Sequence, residues 1–331
     1  MKSRVTVIIP NYNGSRFLES LFNSLLAQTY SNFQTIFIDD GSSDDSVAIA
    51  KTYIGKLPSF EIREYENEGI AANWNRAFDL VETEYFTLLH CDDAYEPDYL
   101  TAMIELMDKY PTAAIGHCAA AIINDTDEVI YSVVDAYKES RFFPTEIVSR
   151  SRRAEFNKLL QGDYVNCPSV IFRTAAVTKV GMFNPELRQT LDWEYWFRIL
   201  NQGFDIVGVK RKLFRYRRHT ENASVINSLS LKRYQEELQT FTWASQQSLA
   251  APAGKLAGKA GIENIVLYES VVSIANGQSL VIQERLDFLE NTLGTSLVKL
   301  SFLRLINLVG SVGAAFVLAL FGRYVKFKMR S

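Results

Sequence analysis

The stretch VTVIIPNYNGSRFLESLFNSLLAQTYSNFQTIFIDDGSSDDS, residues 5–46, decides the fold class. Residues 5–9 are a short β-branched run ended by Pro10, and residues 17–27 then place Leu18, Leu21, Leu25 and Leu26 at helical spacing. A second apolar run, 35–38, stops at Asp39-Asp40-Gly41. Residues 42–45 supply capping groups for a helix carrying Val47, Ala50 and Tyr53. Strands that alternate with helices pair in parallel, so this stretch predicts an α/β sheet.

The pattern continues outward. Residues 60–65 alternate as a third strand, 69–81 read as a helix, and 85–89 form a fourth strand ending at His90-Cys91-Asp92-Asp93. Ligands of open α/β sheets sit beyond the carboxyl ends of the strands, so residues 10–13, 39–41, 67–69 and 90–93 are expected to line one crevice. Residues 113–143 read as less regular. A short helix is expected over 154–160, an apolar segment over 168–172, and a helix over 193–200 that stops at Gly203. An apolar strand, 206–209, leads into a basic stretch, 210–219. Beyond about Ser224 the pattern becomes helical, with segments such as 231–247, 262–275 and 280–293 separated by the small-residue stretch 250–261.

The chain has 331 residues, enough for about two domains. Apolar residues at 47% and charged residues at 22% exclude disorder, collagen-like repeats and a multi-span membrane protein. Lys+Arg 35 against Asp+Glu 38 gives a net −3, so no nucleic-acid partner is expected. Cys91, Cys118 and Cys167 form no CxxC pair, which fits a reducing compartment rather than a disulfide framework or structural zinc. The opening MKSRVTVIIPNYNG breaks at Pro10, too soon for the apolar core of a signal peptide, and no export signal is expected.

Adjacent carboxylates such as Asp92-Asp93 are costly to ionise together unless a cation or donors neutralise them. Two readings stand: a hard divalent metal, Mg²⁺ or Mn²⁺, or a turn whose aspartates cap the helix from Asp98 onward. A second acidic strand end at Asp39-Asp40 favours the metal. The first turn, PNYNGSRF, contains only Gly14, so it lacks the glycine-rich dinucleotide fingerprint, and no GxxxxGK[ST] loop is present. A nicotinamide oxidoreductase and a P-loop enzyme are therefore disfavoured. A receiver domain also pairs acids for Mg²⁺ but is much shorter.

These residues resemble the opening of a family 2 glycosyltransferase of GT-A fold: the PxYN turn, the SLLAQTY helix end and the DDGS strand end follow in the family's order. The resemblance extends through NEGIAANWNRAF, LLHCDDAYEPDYL, PSVIFRTAAVTKVGMFN, LDWEYWFRI and YRRHTENAS, covering about residues 3–224. It implies a mostly parallel sheet flanked by helices, with a donor-binding half at about 1–112 and an acceptor-binding half at about 113–224. Residues 225–331 would form a helical appendage. The implied reaction is inverting transfer from a nucleotide-sugar donor, UDP- or dTDP-linked, to a hydroxyl of a glycan or lipid-linked acceptor in cell-surface polysaccharide biosynthesis.

By that resemblance Pro10 and Tyr12 wall the base, Asp39 bonds its ring edge, and Asn13, Asp40, Gly41, Gly69, Asn75 and Asp92 complete the donor site. The metal ligands implied are Asp92, Asp93 and His219, with His90 where the family's first acid is common. The departure leaves open which aspartate ligates, and whether His90 accepts a ribose hydroxyl or packs at the strand end. It also suggests an alternative, a weakened nucleotide-sugar-binding or scaffold subunit of a glycan-assembly complex. Asp192, opening the DWEYWFRI helix, stands at the family's general base; a carboxyl of usual pKa near 3.9 is ionised at pH 7 and able to accept a proton. Glu194 is its reserve.

Residues 305–322 carry no formal charge and precede Arg323, Lys326, Lys328 and Arg330. A basic, apolar tail, 303–331, in which the bases follow the apolar run, suits attachment to the cytoplasmic face of the membrane. Core packing, a homo-oligomer contact and one short span are the alternatives. Eighteen residues at ~1.5 Å each reach ~27 Å, short of a ~30 Å hydrocarbon core. A cytoplasmic enzyme attached to the inner membrane face is the resulting expectation.

Overall fold

Strand β1 (Val5–Asn11) lies between β2 (Phe33–Asp40) and β4 (Tyr85–Leu88), and β2 pairs with β3 (Phe60–Tyr65), all in parallel. Every β1 residue is buried, as a parallel strand covered on both faces requires. The crossovers run through α1 (Leu18–Leu26), α2 (Ser46–Lys51) and α3 (Ile70–Leu80). Helix α1 buries Leu18, Leu21, Phe22 and Leu25, and Phe22 packs on Phe37, Tyr53 and Phe60. The alternation read from residues 5–89 is thus present, with element ends moved by a residue or two. The computed structural model describes residues 2–143, 145–219 and 231–328.

The sheet continues through β5 (Ala94–Tyr95), β6 (Ala113–Ile123), β7 (Ile147–Ser149), β8 (Ile171–Arg173) and β9 (Asp205–Arg217). Its order is β3-β2-β1-β4-β8-β6-β9-β5, with β7 also on β9. Strand β8 is antiparallel to both β4 and β6, whereas β6 and β9 are parallel. Helices α4 (Tyr99–Lys109), α5 (Val133–Phe142), α6 (Arg152–Leu159), α7 (Thr174–Val180) and α8 (Leu191–Asn201) complete this part of the chain. The result is a mixed α/β fold of GT-A type.

Two readings of the sequence change here. Residues 113–123, expected to be irregular, form an 11-residue strand. Its alanines carry little strand propensity, so the strand is set by packing; a Cβ on Gly116 would lie 3.0 Å from Met107 Sδ. The strand expected over 206–209 runs on through most of the basic stretch, as the 13-residue β9. Leu213 and Phe214 are buried within it, while Arg211 and Arg215 pair with Asp98 and Glu96.

The chain divides into two compact units, residues 1–132 with 141–156 and 163–219, and residues 133–140 with 157–162 and 220–331. The second contains α9 (Leu231–Ser245), α10 (Pro252–Ala275), α11 (Ile282–Asp287), a π-helical turn Phe288–Leu293, α12 (Leu297–Val309) and α13 (Ser311–Lys328). The expected boundary near residue 224 lies outside the described residues. The small-residue stretch 250–261, read as a separator, is mostly the start of α10. Its glycines are small because α10 packs closely: a Cβ on Gly254 would lie 2.2 Å from Asn157 Oδ1, and one on Gly258 2.2 Å from the Leu160 carbonyl. The charge-free run 305–322 is broken at Gly310, whose φ is +75°. Among the described residues no helix is long and apolar enough to cross a membrane.

Candidate active site

The β1–β4 ladder ends at Ile8↔Leu88, just before Pro10, which has no N–H with which to extend it. Pro10 is buried opposite Ile38, while Tyr12 beyond it is 54% exposed. Asn11, not singled out from the sequence, is buried and donates from Nδ2 to Asp39 Oδ1 at 2.8 Å. Asp39 also accepts from the backbone N–H and hydroxyl of Ser42 at 2.8 and 2.6 Å. Asn13 adopts the left-handed region, φ 52°, and its Oδ1 accepts the Ser43 N–H at 2.8 Å.

Asp40 serves a different joint. Its carboxylate accepts the N–H groups of Glu68 and Gly69, and it pairs with Arg76 at 2.6 Å, tying the end of β2 to the start of α3. Gly41 and Gly69 have φ of +73° and +89°, which glycine adopts without steric cost. On α3, Asn73 donates to the Asn11 carbonyl at 3.3 Å, and the amide of Asn75 bonds the Phe183 backbone at both ends, 2.9 and 2.8 Å. Asn75 therefore fixes the segment around Phe183. Its own polar atoms are committed to that backbone.

The end of β4 carries the acidic pair. Gly14 lets the β1 turn approach it: a Cβ there would lie 2.7 Å from Cys91 Sγ. Asp92 Oδ2 is 3.2 Å from His219 Nε2, and His219 packs on Phe17 with ring centroids 4.9 Å apart. Burial works to raise the Asp92 carboxyl, but the His219 hydrogen bond and neighbouring imidazoles outweigh it and hold it below its usual range. Asp93 is nearly inaccessible, and burial, followed by the Asp92 charge, pushes it well up. The two adjacent carboxyls are thus driven apart in acidity, Asp92 towards the charged form and Asp93 towards the neutral one.

Arg217 holds this corner together. It is fully buried, its N–H donates to Asp93 Oδ1 at 2.9 Å, and its guanidinium donates to the carbonyls of Asp92 and Asn124, each at 2.7 Å, and to Asp127. In sequence it is one of several bases in a basic stretch, and strand alternation does not single it out, since Arg211 and Arg215 share its parity and are exposed or part-exposed.

A divalent cation fits the pair on the donor set present. One ligand atom each from His90, Asp92 and Asp93 lies within 4.8 Å of the others. Asp93 Oδ2 and His90 Nε2 are buried with no hydrogen-bond partner among the described residues. Burial lowers His90 to about 4, so its imidazole is neutral at pH 7 and able to ligate, and its ring lies 4.8 Å from that of Trp74. Two oxygens and one nitrogen suit Mn²⁺, and the oxygens suit Mg²⁺. His90 thus joins Asp92 and Asp93, while His219 contacts Asp92 directly.

Asp192 lies in the first turn of α8, part-exposed, and its Oδ1 accepts the Trp193 N–H at 2.8 Å. Glu194, buried, is engaged by Arg198 Nε at 2.8 and 2.9 Å through both oxygens, and Arg198 also binds the carbonyls of Val180 and Met182. That clamp secures α8 to the end of α7. It leaves Asp192 as the first-turn carboxylate outside the clamp.

Residues 6–176 match glycosyl transferase family 2. An uncharacterized glycosyltransferase of Rickettsia typhi is 30% identical over 197 residues, 59% of this chain and 58% of that protein, so the chain spans less than two thirds of that relative. A protein named as a teichuronic acid biosynthesis glycosyltransferase, TuaG of Bacillus subtilis, is 25% identical over 72% of this chain and 86% of its own. Two solved structures share the fold at low identity. S. aureus TarS 1–349 with UDP-GlcNAc aligns at TM-score 0.60 and 14% identity over 100% of this chain and 92% of that one. Mannosyltransferase PcManGT of Pyrobaculum calidifontis, with GDP-Man and Mn²⁺, aligns at 0.60 and 16% over 98% and 84%.

Proposed function

Because the chain belongs to glycosyl transferase family 2, we propose that it is a glycosyltransferase that moves a sugar with inversion from a nucleoside-diphosphate donor to a hydroxyl of a glycan or lipid-linked acceptor. UDP- and dTDP-sugars are the donors proposed, and cell-surface polysaccharide the product class. The observation that carries this reading is the junction of strand ends: Asn11 bonds Asp39, Asp40 bonds Gly69, and His90, Asp92 and Asp93 present buried ligand atoms. TarS with UDP-GlcNAc, PcManGT with GDP-Man and the teichuronic acid name of TuaG support it.

Tyr12 offers an exposed aromatic face on which a pyrimidine would stack, Pro10 would wall the base with it, and Asp39 would bond the ring edge. Asn13, Asp40, Gly41, Gly69 and Asn75 shape the donor pocket, Asn75 by holding the Phe183 backbone. Asp92, Asp93 and His90 would hold Mg²⁺ or Mn²⁺, with His219 orienting Asp92; when bound, the ion supplies positive charge for the leaving diphosphate. Asp192 accepts the proton of the acceptor hydroxyl as its oxygen forms the new bond to the anomeric carbon and the diphosphate leaves from the opposite face. A peripheral contact with the cytoplasmic membrane face completes the proposal.

A nucleotide-release assay over UDP-, GDP- and dTDP-sugars, with a total-membrane lipid extract as acceptor and product mass spectrometry, tests it. Release of UDP or dTDP with a product heavier by one sugar is expected. Binding without release on any acceptor favours the scaffold alternative, and no nucleotide binding removes both. Chelation before donor addition is expected to lower nucleotide affinity in calorimetry.

A further inference from the structure

Helix α12 is apolar on two faces. Leu300, Leu303 and Ile306 are buried, while Val298, Phe302, Leu305 and Val309, spaced 4, 3 and 4 residues apart, form an exposed stripe. Leu308 beside it is 84% exposed. Past Gly310, α13 repeats the arrangement with Val312, 80% exposed, and Phe316 outside and Ala314 inside. An exposed stripe of large apolar side chains along two consecutive helices is uncommon on a soluble surface and marks an interaction site.

The charge pattern of the segment identifies the partner. From Asn291 to Lys328 there is no acidic residue, and Lys299, Arg304, Arg323, Lys326 and Lys328 give five positive charges. Acids elsewhere in the second unit, Glu263 and Glu290, pair with Lys299 and Arg304. A second copy docking through this face would bring two acid-free, basic segments together. An anionic bilayer offers both what the stripe lacks, an apolar phase, and the opposite charge.

We propose that the exposed face of α12 and α13 lies in the interfacial plane of an anionic lipid bilayer, its apolar stripe entering the acyl boundary and the net positive charge of the acid-free segment favouring anionic lipid. This rests on the membrane-face contact proposed above and assigns it to named residues. Gly310 suits this arrangement, because two helices joined by a bend follow an interface, whereas a span would need one unbroken apolar helix.

Flotation of the full chain with phosphatidylcholine vesicles, with and without phosphatidylglycerol, is the test, read beside light scattering of the lipid-free protein. Co-flotation with the anionic vesicles is expected. Lys326→Gln and Lys328→Gln should each weaken it about fivefold, the effect of one base near such a surface. The pair Leu308→Glu and Val312→Glu should abolish it with helical circular dichroism unchanged. Absence of flotation at low salt, or flotation unaltered by the paired change, overturns the proposal. A dimer that the paired change dissociates, with no vesicle binding, assigns the face to a second copy instead. UDP calorimetry on the same samples reports separately on the donor site.

Discussion

The backbone N–H of Arg217 lies 2.9 Å from Asp93 Oδ1, and its Nε lies 2.7 Å from the Asp92 carbonyl. The last residue of β9 thereby sets the acidic pair at the end of β4, across more than a hundred residues of chain. Arg217→Met should cost about 2–3 kcal/mol, the scale of hydrogen bonds to a charged group, and not the larger loss of a wholly buried pair, because Asp127 is half exposed. Arg211→Ala, which breaks an exposed pair with Asp98, should cost at most about 1 kcal/mol. Urea unfolding of both variants measures the contrast, and equal losses would refute the central role given to Arg217.

Asp192→Asn keeps the shape of the α8 first turn and removes the base. A kcat lower by about 10²–10⁴-fold with nucleotide affinity unchanged is expected in steady-state kinetics and calorimetry. Turnover at the wild-type rate would return the base assignment to another carboxylate. Glu194→Gln should instead lower stability, since Arg198 binds both of its oxygens.

At Gly258 two effects oppose each other. Alanine gains about 1 kcal/mol of helix propensity, but its Cβ would sit 2.2 Å from the Leu160 carbonyl and 2.4 Å from Phe241 Cε2. The carbonyl belongs to the backbone and yields little, so overpacking at about 1–3 kcal/mol prevails. Gly258→Ala should therefore lower the thermal midpoint, whereas Gly277→Ala, with open space at its Cβ, tests the left-handed backbone alone.

His117 gives a pH dependence with a defined sign. Burial pushes its imidazole down to about 3, with the Arg150 charge acting in the same direction. The unfolded imidazole binds its proton near pH 6.5. Stability from the neutral buried ring is present above that value and is lost as pH falls towards 3. Comparing wild type with His117→Gln by urea unfolding between pH 7 and 4.5, the wild type should lose stability more steeply, approaching about 1.4 kcal/mol per pH unit for the one proton.

The β1 to β4 alternation was legible because each element there carries its own pattern: β-branched runs, helical leucine spacing and polar strand ends. Strand β6 was not, because AAIGHCAAAII has weak intrinsic preference and becomes a strand only between β8 and β9. Gly254 and Gly258 read as a separator for a similar reason. A glycine's packing partner is invisible until the chain segment at residues 157–160 is brought against it. At the candidate site, Asp92, Asp93 and Asp192 stood out by type and position, whereas Asn11, Asn73, His90 and Arg217 needed their neighbours to show what they do.

By itself the sequence determined the α/β class, the family and the residue types gathered at the strand ends, since these depend on local periodicity and on short ordered motifs. Only the tertiary structure decided that Asp92 and Asp93 differ in acidity, that Arg217 is buried against them, that His90 joins their ligand group, and that the apolar tail is two helices with an exposed stripe. Each of those rests on desolvation or on contacts between residues far apart in the chain. Burial and distance are properties of the folded arrangement, and no local pattern encodes them.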